Sequence, residues 1–472
     1  MANISSAATG NWNSTSTWDG GAVPVAGDLV TILNTHDVTL TQNQPAGAVV
    51  INSGGTITGG GFKLTLNDAA GTTFIFSSVG TISGVLDIDI TGGSADRPIN
   101  EAGTGNIRNL TINNSQTYRT HFHLTLDGNL TISSGTLTTD SSQNRTLTVA
   151  GHVTNNGTLT LNGSTVNLGS TSAEAGDVTG AGTFNLDTST INFHTAGGAN
   201  FIPSTSANFD TNTSTLNLIG LNGSNRAHNF TFASGNMHNI TTSRGAGTDT
   251  HTDTLNGNCT ITGNLTVGAN SNFSTGTRVF TVNGDVNVTG QLISNGSDKP
   301  MTFGSLTINS GGTYSATSGT TTITDESSGG YALENLGTFT HNNGKVLIDF
   351  DTPNKNDNTD IKCNEFFDFE IKMNGASFST MFRDLSGDTV TFLGDLTITK
   401  GKFDDNVNSD TYIIHGNTIL ESEGSFGTAT NWHTGDITHH GLVVLNGGTY
   451  YRSDAGGTVK MGGIRNIGGS VL

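Results

Sequence analysis

One phrase returns along the chain and limits what it can fold into: a glycine, a short alternating strand, a turn containing glycine, then another strand. It stands as Gly128-Asn129-Leu130-Thr131-Ile132 with Gly135-Thr136-Leu137, and as Gly151-His152-Val153 with Gly157-Thr158-Leu159. It returns at Gly263-Asn264-Leu265, Gly284-Asp285-Val286, Gly304-Ser305-Leu306, Gly394-Asp395-Leu396 and Gly416-Asn417-Thr418. The opening glycines of the pairs 128/151, 263/284, 284/304 and 394/416 lie 23, 21, 20 and 22 residues apart. A propeller blade needs about 40–45 residues and a helix–turn–helix repeat about 34; leucine-rich repeats share the length but carry an Asn/Cys ladder pattern that this chain lacks. The spacing suits one coil of a right-handed parallel β-helix, an all-β solenoid with about 20–23 residues per coil.

The physics of such a chain is direct. A single coil cannot bury its apolar face, whereas stacked coils bury one continuous column of Leu, Ile, Val and Phe. With strands about 4.8 Å apart, some twenty coils would extend on the order of 100 Å. Glycine and asparagine are expected at the corners, where sharp turns need positive φ. Stacked Asn or Thr ladders are expected to add hydrogen bonds, as at Asn113-Asn114, Asn155-Asn156 and Asn342-Asn343.

Composition decides between order and disorder. A chain of 472 residues with 33% hydrophobic and only 12% charged residues does not read as ordinary globules. Disordered chains are rich in charge and proline, but proline here numbers only 6, and alternations such as Leu124-Thr125-Leu126 and Leu159-Thr160-Leu161 have the period of half-buried strands. The net charge of −19, with no basic stripe, argues against nucleic-acid binding and against an anionic membrane surface. No run approaches a membrane-spanning length of about 18 apolar residues, so no membrane insertion is expected. Cys259 and Cys363 lie far apart in sequence and form neither a CxxC motif nor an expected disulfide.

The expected organisation is an N-terminal cap with the first strands over 1–45, a shaft over 46–350, a projecting loop over 351–366, and a continuation over 367–472 without an obvious cap. Residues 195–210 and 241–257 also read as loops. The start, Met1-Ala2-Asn3-Ile4-Ser5, lacks a basic region followed by an apolar core, so synthesis in a host cytoplasm without a signal peptide is expected.

Residues 10–41 differ from the repeat: Gly10-Asn11-Trp12, Thr17-Trp18-Asp19-Gly20-Gly21, Val23-Pro24 and Gly27-Asp28-Leu29-Val30. An open solenoid end exposes core and strand edges, and Trp12 and Trp18 are placed to plug it. Gly20, Gly21, Pro24, Gly27 and Asp28 are assigned to the same cap, the turn from Pro24 to Gly27-Asp28 feeding the first strand, Leu29 to Leu33. This stretch resembles the opening of the G8 domain, a family that begins parallel β-helices. The remaining chain resembles, more loosely, the Gly/Thr/Asn-rich solenoids of bacteriophage tail and fibre proteins, and also filamentous-haemagglutinin-type adhesins.

No catalytic constellation stands out. Carboxylates two apart share a strand face at Asp87/Asp89, Asp349/Asp351 and Asp368/Glu370, but with 38 acidic residues such pairs arise by composition. His121 and His123 beside Arg119, and His439-His440 after Trp432, would be metal ligands only if further donors joined them. Asp349, Asp351, Asp357 and Asp360 supply oxygens of the kind calcium takes, without EF-hand spacing. Trp432, Tyr450 and Tyr451 suit stacking on a sugar, and equally a core or a subunit contact. No catalytic residue and no cofactor are assigned, calcium being the one candidate.

The expected function is that of a virion structural protein: a phage tail-fibre or spike-type appendage, a rigid shaft contributing to attachment to a host surface. Its expected partners are other virion structural proteins and a host surface glycan or protein. The resemblance to tail fibres implies a homotrimer. The alternatives are a polysaccharide-degrading β-helix tailspike enzyme and a bacterial surface adhesin or filament subunit.

Overall fold

In a computed structural model, about 58% of the residues lie in strands, stacked in parallel as a β-solenoid of about 17 turns. The structure describes residues 2–68, 72–94, 96–169, 176–195, 200–201, 208–210, 212–220, 226–230, 237–244, 250–294, 296–351, 358–383, 388–404, 410–427, 435–451 and 457–472. Among these there is no α-helix; the helical elements are two short 3-10 turns, Thr15–Thr17 and Asp19–Gly21. The chain divides into two units, Met1–His238 with Arg244–Asp249, and Asn239–Ser243 with Thr250–Leu472.

In the first unit, the alternation places every second strand residue inward. Leu110 pairs in register with Leu130, Leu130 with Val153, Val153 with Val178, Val178 with Phe201, and Phe201 with Phe230. All six are buried, so each coil supplies one member of a continuous apolar column. Each such side chain contributes about 1.5–3 kcal/mol when fully buried.

The second unit repeats the scheme. Ile240, Leu265, Val286, Leu306, Leu333, Ile361 and Phe382 follow one another in register. A second column is aromatic. Phe403 stacks on Phe426 with centroids 4.7 Å apart, and Phe426 on Tyr450 at 5.0 Å. These separations match the spacing of about 4.8 Å between neighbouring strands, so stacking follows from register.

Polar residues at the turns hold the register from outside. The Asn109 side-chain oxygen accepts the Asn129 N–H at 2.7 Å, and that of Asn129 accepts the His152 N–H at 2.7 Å. His152 Nδ1 then accepts the Asp177 N–H at 3.1 Å, and Asp177 the Asn200 N–H at 2.8 Å. The second unit has the same ladder. Asn239 accepts from Asn264 and Asn264 from Asp285; Asp368 accepts from Asp395, Asp395 from Asn417, and Asn417 from Leu442. These turn N–H groups thus find an acceptor one coil earlier.

Corner residues such as Gly135, Asn162 and Asn342 have positive φ as expected, but the ladder gives the opening glycine of the repeat a different role. Gly128, Gly151, Gly284 and Gly394 do not adopt positive φ. A Cβ at these positions would meet the acceptor oxygen of the preceding coil at 2.4, 2.3, 2.2 and 2.1 Å. Glycine stands there because the ladder passes over it. Asn–Asn stacking also sits elsewhere than expected, running Asn167, Asn192 and Asn217 at 2.9 Å per step. Asn155 instead donates to the Thr183 carbonyl, Asn342 to the Ala316 carbonyl and Asn114 to the Tyr118 hydroxyl.

Coils are more variable than the 20–23 residues expected. Ladder and stacking bonds join residues 19 apart at Asn167 and Thr148, 25 apart at Asn192 and Asn167, and 29 apart at Asn229 and Asn200. Longer coils accommodate fewer turns than the twenty expected. The expected loops also contain strands: Asn200–Phe201 and Asn208–Asp210, Asn239–Arg244 and His251–Leu255, and Thr359–Lys362 and Glu365–Phe366. Ile361 and Phe366 are buried, so the expected loop over 351–366 includes core; its residues 352–357 lie outside the described residues.

Candidate functional site

The N-terminal signature forms a packed cluster. Trp12 and Trp18 are buried with rings edge to face, centroids 5.0 Å apart. The Trp18 Nε1–H donates to the Trp12 carbonyl at 2.6 Å. The buried Asp28 carboxylate accepts the Ala2 and Val25 N–H groups at 2.6 and 3.0 Å. Gly20, Gly21 and Gly27 have positive φ, and Pro24 is buried. The residues of the sequence signature are therefore structural in their contacts.

The carboxylate pairs are occupied by cations or by ladder bonds. Asp87 binds the Arg108 guanidinium through both oxygens, at 2.8 and 2.6 Å, and Asp89 pairs with Lys63 at 2.6 Å. Glu370 pairs with Lys345 at 2.6 Å, while Asp368 belongs to the ladder. Of the calcium candidates, Asp349 lies 3.4 Å from Lys372, and Asp351 lies between Lys372 at 3.4 Å and Lys400 at 3.1 Å. The Lys400 hydrogen bond, helped by Lys372, holds the Asp351 carboxyl below the usual carboxylate range. Asp360 is buried and pairs with Arg383 at 3.0 Å, and Asp357 lies outside the described residues. No group of three or more His, Cys, Asp or Glu converges among the described residues.

The histidines separate in the same way. His121 lies 3.9 Å from Asp140, and His123 Nδ1 accepts the Thr146 N–H. His439 points inward, with Nδ1 2.7 Å from the Thr418 hydroxyl and Nε2 3.0 Å from the Tyr450 hydroxyl. His440 points outward and stacks on His415 at 4.9 Å. Tyr450 is therefore a core residue, and the expectation that it meets a sugar is corrected; burial pushes its hydroxyl pKa up. Tyr451 is half-buried, and Trp432 lies outside the described residues. Both thiols are free and buried, and burial pushes each up to about 12.

Two features were not singled out from sequence. Glu101 accepts the Ile107 and Thr125 N–H groups, each at 3.2 Å. Burial raises its carboxyl to about 7 against those two bonds, and the charge of Asp127 adds to the rise. The second feature is an open polar groove of about 330 Å³ on the flank of the second unit. Small residues at successive turns, Ala269, Gly290 and Gly311, leave it open. Gly290 admits no side chain, because a Cβ would meet the Ser271 carbonyl at 2.1 Å, and a Cβ on Gly311 would meet nothing within 4 Å.

Amides and hydroxyls line this groove: Asn270, Asn272 and Gln291 with Thr250, Thr289 and Ser310. Asn270 and Gln291 are exposed, and their side chains make no hydrogen bond among the described residues. Thr289 accepts from Asn309 at 3.1 Å, which fixes its hydroxyl at the rim. No charged residue lines the groove, so it is built to hydrogen-bond neutral groups. The sequence signal for it is a small residue beside an amide or hydroxyl, repeated at the coil period.

The class defined by this arrangement is a parallel β-solenoid whose outer face is polar and whose register is locked by a turn ladder. No family model matches the chain, and no curated protein or solved structure matches it either.

Proposed function

We propose that the chain is a structural and adhesive component of a virion, a phage tail-fibre or spike-type appendage that contributes to host-surface attachment. The observation that carries this reading is the turn ladder running beside a continuous apolar column in each unit. Within each unit, the coils that carry the ladder are tied to their neighbours by main-chain, side-chain and core contacts at once, which suits an element that transmits load. The resemblance of the Gly/Thr/Asn-rich repeat to tail and fibre solenoids supports the same reading. The role proposed is binding and mechanical rather than catalytic, with the carboxylate pairs serving as ion pairs on the outer face. Assembly as a homotrimer with other virion proteins completes the proposal.

The test is mass spectrometry of purified virus particles and of host surface fractions from the source. Stoichiometric peptides in particles are expected. Peptides confined to the cell surface would replace this reading with that of an adhesin. Sedimentation of the purified chain then tests the trimer.

A further inference from the structure

We propose that the flank groove bounded by Ala269, Gly290 and Gly311 binds a short neutral segment of polysaccharide. The inference deepens the attachment reading and rests on it only for the source of the ligand. Its volume of about 330 Å³ is at the small end of ligand sites, which run about 300–1,000 Å³. The chemistry of the lining narrows the ligand class by exclusion and by match.

An ionic ligand finds no opposite charge in this lining, and the net charge of −19 repels polyanions. An apolar ligand finds no Val, Leu, Ile, Met or aromatic side chain in this lining, only methyls and the short stems of amide side chains. A sugar ring carries several hydroxyls, each both donor and acceptor. Amide side chains also donate and accept, from one planar group, so a single Asn or Gln can engage neighbouring hydroxyls together. Asn270 and Gln291 present such amides with no described protein partner.

The position of these groups follows from register. Asn272 pairs in register with Gln291 one coil on, so the lining steps from coil to coil at about 4.8 Å. A polymer lying across the coils meets a new amide or hydroxyl at each step. Asn270 has a φ of 58°, and its carbonyl accepts the His251 N–H at 3.1 Å. The backbone is thus fixed while the side chain remains available.

The experiment uses the intact chain on an array carrying a broad set of neutral glycans, with acidic uronic-acid glycans printed beside them. Neutral glycans are expected to bind and acidic ones not. Gln291→Ala and Asn270→Gly, the glycine avoiding strain at positive φ, should each weaken binding about 3- to 10-fold. Ala269→Trp, at an exposed position, should abolish it by filling the groove. Unchanged circular dichroism and melting keep the variants interpretable, with Gln291→Ala as the least intrusive. Absence of neutral-glycan binding, binding to acidic glycans alone, or binding that Ala269→Trp leaves intact would each overturn the proposal. Glycan binding by a chain found only on cell surfaces would keep the groove and remove the virion reading; a chain in virions without glycan binding would do the reverse.

Discussion

The side-chain oxygen of Asn129 accepts the main-chain N–H of His152 at 2.7 Å, from the place where a Cβ on Gly151 would sit 2.3 Å away. Ladder acceptor and glycine are therefore one device. Gly151→Ala should destabilise by about 1–3 kcal/mol, because the new Cβ also meets the Gly128 backbone. Asn129→Ala should cost about 0.5–1.5 kcal/mol. The double variant should cost less than the sum, since both changes break the same bond. Denaturant melts give the energies, and hydrogen exchange at the His152 amide reports the bond itself. Additive losses would separate glycine from ladder.

Trp12 and Trp18 pack edge to face, both buried, in the first unit. Trp18→Phe keeps an aromatic ring but removes the N–H donated to the Trp12 carbonyl, a loss of about 1 kcal/mol. Trp12→Ala removes a fully buried ring and should cost about 3–5 kcal/mol. Tryptophan emission should shift to longer wavelength in Trp12→Ala, with faster proteolysis of the first coils. Unchanged proteolysis would mean that the pair does not hold the end closed.

The coil period was legible because the ladder writes itself into sequence as Gly-Asn, Gly-His or Gly-Asp before an alternating strand. Coil length was less so, because strands and turns both vary in length: strands run from the 2 residues of Gly10–Asn11 to the 12 of Asn109–Thr120. The strand His251–Leu255 was hidden for another reason: two of its three inward residues, His251 and Asp253, are polar and pair with each other at 2.8 Å inside the core. Their identity reads as a solvated loop. The groove was invisible for the opposite reason. Asn270, Gln291 and Ser310 are residue types this chain uses everywhere, and only the register that places Gly290 and Gly311 beside them makes a concavity.

Glu101 makes a pH prediction. Its carboxyl sits at about 7 in the folded chain against an ordinary value of 4.5, with burial as the main cause. Below pH 4.5 it is protonated folded and unfolded alike, and its contribution is fully present. Between 4.5 and 7 the folded chain holds a proton that the unfolded chain has released, so stability falls as pH rises through that window. Glu101→Gln, neutral throughout, should lack this slope, so wild type should lose on the order of 2 kcal/mol relative to it from pH 4.5 to 7.5. A pH-independent difference between the two proteins would place the Glu101 carboxyl at its ordinary value.

The Asp351 carboxylate is committed to Lys372 and Lys400. Millimolar calcium, or its removal by a chelator, should leave the melting temperature of the chain unchanged. A calcium-dependent rise that Asp351→Asn abolishes would instead make this cluster a cation site.

Tyr450 stands at the junction of two systems in the second unit: its ring continues the stack from Phe403 through Phe426, and its hydroxyl meets His439 Nε2 at 3.0 Å. Tyr450→Phe preserves the stack and removes the hydroxyl, so it should cost about 1–2 kcal/mol for the lost buried hydrogen bond. Tyr450→Leu keeps the site apolar but breaks a parallel ring pair, and should cost more, by about 0.5–1.5 kcal/mol beyond the change in buried area. The ordering of the two variants is the informative quantity. If Phe costs as much as Leu, the hydrogen bond to His439 governs this coil. If Phe is nearly neutral and Leu is not, the aromatic column governs it, and the same ordering should then hold at Phe426, whose ring lies between those of Phe403 and Tyr450.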